Sequence, residues 1–163
     1  MKQQFKIALQ TASIRGLILL LPLLGNFLFL ASAKADLNSS LTIEIEGLKN
    51  KYGQVCATLF DKIQGFPRDS KNALQSQCIK ITEISQKLTF NNLKAGSYAV
   101  ALIHDANENG NLDTGSFGAP IEGFGFSNNP EVFTGPPKFN NSAVTVSKTN
   151  TDIKIKMKYF FGS

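Results

Sequence analysis

The chain has 163 residues, enough for one ordinary domain and too few for two. Its formal charge of +5 is unevenly placed: residues 1–35 hold four of the 17 basic residues and none of the 12 acidic ones, leaving 13 against 12, a net of +1, for the remainder. With no basic stripe and no RNA-binding motif in that remainder, a nucleic-acid partner is not expected.

At the start of the chain, Lys2, Lys6 and Arg15 precede an apolar run from Leu17 to Leu30 and then the small-residue stretch "ASAKAD". That order is the pattern of a secretory signal peptide, residues 1–35, cleaved before Asp36, with Ala31 and Ala33 offering a second cleavage point two residues earlier. The run is shorter than the ~20 apolar residues of a membrane span. Pro22, Gly25 and Asn26 also interrupt it, so cleavage is preferred to an uncleaved anchor and no membrane span is expected afterwards. Residues 36–163 are therefore read as a single exported domain, periplasmic or extracellular.

In an oxidising compartment a disulfide between Cys56 and Cys78 is the expected pairing. Closing that loop of about 23 residues stabilises the fold by about 3.4 kcal/mol in the chain-entropy model. The competing readings are a pair of buried thiols, or a metal site that lacks a third Cys or a nearby His.

Beyond the leader, period-two alternation recurs and no amphipathic helix is evident. "LTIEIEG" sets Leu41, Ile43 and Ile45 against Thr42, Glu44 and Glu46. "DIKIKMKY" sets Ile153, Ile155, Met157 and Tyr159 against three lysines. "GQVCATLFD" and "SYAVALIHD" are apolar on both faces, as strands covered from both sides are. Cys78–Glu83, Lys87–Asn91 and Ala143–Ser147 are shorter candidates, and the polar stretch from Phe66 to Gln77 offers at most a helical turn near Ser70–Leu74. About seven strands with Gly, Asn and Pro turns predict an all-β, Greek-key sandwich, immunoglobulin-like or transthyretin-like.

Residues 104–142 break the pattern, with four of the six prolines, six of the 13 glycines, five of the 13 phenylalanines and seven asparagines. Connections this long are usually functional or disordered. The phenylalanines give this one something to bury, so it is expected to be an ordered loop lobe packed on one end of the sandwich. It opens with "HDANENGNLD". Taking Asp105 as the first position of a calcium loop, Asn107, Asn109, Gly110, Asn111 and Asp113 fall at the third, fifth, sixth, seventh and ninth. Alternate oxygens then converge on a hard cation, glycine permits the turn, and the seventh residue gives its carbonyl. The twelfth position is Ser116 where a bidentate Glu is usual, and Glu122 is the residue available to supply that carboxylate from further along.

Such a donor set predicts weak Ca²⁺ binding, in the extracellular range of roughly 10⁻⁴ to 10⁻³ M. The alternative is an Asx-turn loop whose side chains cap their own backbone. His104 is the only histidine. With no second nitrogen ligand it does not indicate zinc or copper, and as a weak catalytic candidate it would need Asp105 or Glu122 as partner. The lobe's phenylalanines are read chiefly as its own core, and the absence of Trp weakens a claim on sugars.

The stretch "YAVALIHDANENGNLDTGSFGAPIEGFGFSNNP", followed by "GPPKFNNSAV", resembles a bacterial exported family catalogued as a domain of unknown function, DUF2141. The resemblance runs through "H-D-x-N-x-N-G-x-x-D" and "G-x-P-x-E-G-x-G-F-S-N-N" and covers nearly the whole chain after the leader. It implies an exported β-sandwich and supplies no catalytic residue. The expected function is a non-catalytic exported domain that holds Ca²⁺ in its loop and presents the lobe to an envelope protein or glycan. The alternatives are an envelope hydrolase using His104 and a metal-free structural or adhesive module.

Overall fold

The computed structural model describes residues 39–147 and 149–161, so the expected leader and its cleavage point lie outside the described residues. Eight strands are described: β1 (Ser39–Glu46), β2 (Gln54–Phe60), β3 (Gln75–Lys80), β4 (Gln86–Leu93), β5 (Gly96–Asp105), β6 (Gly123–Phe126), β7 (Val144–Val146) and β8 (Asn150–Lys156). They form two sheets, one ordered β4-β1-β8 and the other β3-β2-β5-β6, with β7 also paired to β5. The domain is an all-β sandwich. β1 and β8 run parallel, whereas every other pairing is antiparallel.

The alternating strands bury the faces their sequences mark. Leu41, Ile43 and Ile45 of β1 and Ile155 of β8 are fully buried and meet Val55, Ala57, Leu59, Val100 and Leu102 across the core. Each Val, Leu or Ile side chain withdrawn from water there contributes roughly 1.5–3 kcal/mol. The two strands that are apolar on both faces, β2 and β5, are the central pair of the second sheet. Cys56 and Cys78 face one another in the β2–β3 register and form the expected disulfide.

The second face of β2 and β5 accounts for where the lobe sits. Outward-facing Phe60, Ala99 and Ala101 pack with Phe124, Phe126 and Phe139 in a second apolar cluster. Small residues at positions 99 and 101 leave room for those rings, so the later part of the lobe lies over this outer face rather than solely at the sandwich's end. The lobe also supplies a strand, β6, inside the stretch expected to be loop throughout. In "GFGF" the phenylalanines face outward and the glycines inward. A Cβ at Gly123 would lie 2.3 Å from the Tyr159 ring, and one at Gly125 would lie 2.9 Å from Ile155. After β8 the chain crosses to this strand: Phe124 and Lys158 exchange backbone hydrogen bonds of 3.0 and 2.7 Å. The helical turn expected near Ser70–Leu74 is a 3-10 turn at Ser70–Asn72, and the lobe ends in a short helix, α1 (Phe139–Ser142).

Edges are covered by side-chain amides. Gln75 and Gln77 on β3 donate to the carbonyls of Asn91 and Thr89 on β4, at 3.1 and 3.0 Å, satisfying acceptors that an open edge would offer to another chain.

Candidate functional site

β5 delivers His104 and Asp105 to the end of the second sheet, and neighbouring residues of a strand face opposite ways. His104 turns inward and is buried. Its Nε2 lies 2.9 Å from the Tyr52 carbonyl oxygen, which can only accept, so Nε2 carries the proton. Nδ1 then receives the Tyr159 hydroxyl at 2.7 Å, and that hydroxyl accepts the Lys49 N–H at 3.1 Å. Burial pushes the Tyr159 phenol above its ordinary pKa, with the Lys49 N–H opposing. With both ring nitrogens engaged, the histidine ties the end of β5 to the β1–β2 connection and to the segment after β8. Neither Asp105 nor Glu122 reaches it, so the hydrolase arrangement that would pair them finds no support in this geometry.

Asp105 turns outward and is also fully buried. Its Oδ2 accepts the Gln54 amide and the Gly110 N–H, both at 2.8 Å, and its Oδ1 accepts the Asn109 N–H at 3.0 Å. Burial works to raise the pKa of this carboxyl. The hydrogen bonds from Gln54, Gly110, Asn109 and Glu108 outweigh burial and hold it below the ordinary carboxylate value. The carboxylate therefore winds the loop around itself, aided by left-handed backbone at Glu108 and Gly110.

The remaining predicted ligands divide into two groups. Asn107 and Asn109 turn their amide nitrogens onto Asp113, at 2.6 Å to Oδ2 and 3.0 Å to Oδ1, so these three side chains converge. The side-chain oxygens of Asn107 and Asn109 accept the N–H groups of Asn109 and Asn111, at 3.2 and 2.8 Å, as Asx turns do. Asn111 instead donates to the Asn109 carbonyl at 3.0 Å. Glu122 closes the loop from below: its two oxygens accept the Ala106 and Asp113 N–H groups at 2.8 and 3.0 Å, spanning both ends. Lys80 pairs with Glu108 at the rim. Among the described residues no group of three or more His, Cys, Asp and Glu side chains is placed to hold a metal. Any cation here would rest on amide oxygens around one or two carboxylates, a donor set that suits a hard ion such as Ca²⁺ held weakly.

Three further residues, Ser127, Asn128 and Asn129, fasten the lobe. Ser127 accepts the Val100 N–H at 2.8 Å and donates to the Ser142 carbonyl. Asn128 donates to the Asn141 carbonyl at 3.0 Å. Asn129 reaches the other sheet, donating to the Lys154 carbonyl at 2.9 Å and accepting the Lys156 N–H at 2.8 Å, and so acts as a strand substitute along β8. The paired asparagines, a residue type that tolerates the left-handed φ both adopt, are the locally legible signal. Their partners, 13 and 25 residues away, are not.

No curated protein and no solved structure matches the chain. One family model, described as "Uncharacterized protein conserved in bacteria (DUF2141)", matches residues 43–154. That span runs from β1 into β8, covers more than half of the chain, and takes in the whole loop with its histidine, its carboxylates and the Ser-Asn-Asn fastening. The chain belongs to the DUF2141 family.

Proposed function

We propose that the protein is an exported, non-catalytic β-sandwich domain that binds Ca²⁺ through the loop Asp105–Asp113 and uses the ion to stiffen a lobe that receives a ligand or partner. The observation that carries this reading is the convergence of Asn107, Asn109 and Asp113. A half-turn of either amide exchanges its nitrogen for its oxygen and converts hydrogen-bond donors into hard ligands beside a carboxylate. That exchange gives up Asx-turn bonds worth about 0.5–1.5 kcal/mol each. The cost, together with the low charge of the set, supports a dissociation constant of roughly 10⁻⁴ to 10⁻³ M. The Asn111 carbonyl and Asp105 complete the proposed donors, and Glu122 braces the frame. The disulfide is compatible with export, and no helix among the described residues is long and apolar enough to cross a membrane.

Thermal unfolding with ~10 mM CaCl₂ and with chelator tests the proposal. At those affinities the ion adds about 1.4–2.7 kcal/mol, a Tm rise of roughly 5–10 °C for a domain of this size. Asp113→Asn is expected to abolish the rise. Equal Tm values with calcium and chelator would leave the second reading, a metal-free module whose loop is held by its Asx turns alone.

A further inference from the structure

The outer face of the second sheet carries a groove of about 760 Å³, within the range of cavities that take small molecules. Its floor includes Ala101, Phe124 and Phe126, and Phe117, Phe133 and Phe161 stand exposed around it. Exposed aromatic rings gathered on one concavity mark a binding surface, whereas single scattered ones do not. Phe117 adds a second observation. Its backbone lies in the left-handed region at φ 65°, a conformation costly for a bulky residue, yet its side chain is fully exposed among the described residues.

The charge of the groove narrows the occupant. No Asp, Glu, Lys or His lines it, and its other polar side chains are hydroxyls and the Asn111 amide. Arg68 is the single charge, and its guanidinium makes no hydrogen bond or ion pair among the described residues. A guanidinium beside an apolar bed matches one flat anionic head, because its fixed donors fit a carboxylate in bidentate fashion. We propose that this groove binds a small amphiphilic carboxylate, its hydrocarbon or aromatic body on the phenylalanines and its head on Arg68. Gly110, Asn111 and Leu112 of the candidate calcium loop form part of the wall, but the groove's chemistry does not depend on an ion.

Calorimetric titration with dodecanoate, dodecanol and dodecylamine tests the proposal, using protein purified after expression of the full sequence. Each titration is run in calcium and again in chelator, which separates this site from the loop's ion. Dodecanoate is expected to bind saturably and dodecylamine at least about tenfold more weakly. Arg68→Gln is expected to weaken dodecanoate about tenfold while leaving dodecanol unchanged. Phe133→Ser, at an exposed position that the fold does not need, should weaken both dodecanoate and dodecanol. Absence of saturable binding in both buffers, dodecylamine binding as tightly as dodecanoate, or an unaffected Arg68→Gln variant would each overturn the assignment. So would a ligand-free dimer that Phe133→Ser dissociates, since the face would then belong to a second copy.

Discussion

Replacing Asp105 with asparagine isolates the electrostatic part of the loop. The side chain keeps its size, and one of its two oxygens becomes an NH₂. The best orientation keeps the oxygen toward Gln54 and Gly110, so the new amide meets the Asn109 N–H head on. One hydrogen bond to a charged acceptor is lost, worth about 1.5–3 kcal/mol, and the two that remain fall to roughly half their strength without the charge. The expected destabilisation is about 2–4 kcal/mol, a drop in Tm of roughly 8–16 °C. Because the chain has no tryptophan, far-UV circular dichroism across a urea gradient, with chelator present, is the suitable assay.

Acid sharpens this test. The folded carboxyl lies below its ordinary pKa, so its contribution is complete above the unfolded value of about 3.9 and is lost as pH falls through the lower folded value. The gap between wild type and Asp105→Asn should stay constant from neutrality down to about pH 5 and close below about pH 4. Equal urea midpoints at neutral pH, or a gap that persists unchanged into acid, would refute the account of Asp105 as the charged centre of the loop.

Tyr159→Phe removes the hydroxyl that accepts from Lys49 and donates to buried His104, and is expected to cost about 1–3 kcal/mol in urea unfolding. The raised phenol pKa means that its neutral form is the one stabilised by folding, so wild-type stability should fall as pH rises past about 10, and the variant should lose part of that dependence. Gly123→Ala forces a methyl group into the Tyr159 ring and should destabilise by about 1–3 kcal/mol, with near-ultraviolet dichroism of the tyrosines reporting the displaced ring.

The strands were readable where one face meets the core and the other meets water, because alternation then appears directly in the residues, as in Leu41, Ile43 and Ile45. The doubly apolar runs around Val55 and Val100 correctly marked the centre of a sheet. β6 was hidden because its inward positions are glycines, chosen by the close passage of Tyr159 and Ile155, and a contact between distant segments leaves no local hydrophobic signal. His104 could be seen as unusual by its singularity and position. Its commitment to Tyr159 and Tyr52 depends on partners 55 and 52 residues away. In the loop, Asn and Asp spacing indicated convergence but could not separate Asp105, which organises backbone, from Asp113, which faces the asparagine amides. Glu122 is visible in the sequence as a carboxylate within reach, whereas its bonds to the two ends of the loop depend on three-dimensional closure.

The parallel pairing of β1 with β8 has a mechanical consequence. Tension applied at the start of β1 and the end of β8 pulls two adjacent strands past one another along their length. Their seven register pairs, from Ser40 with Asn150 to Glu46 with Lys156, then carry the load together in shear, instead of opening one at a time as a peeled hairpin would. The bonds between Phe124 and Lys158 pin the far end of that lap joint to the other sheet, so the pull is shared by both layers. A pull across this pair is therefore met by all seven register pairs at once and passed on to the second sheet.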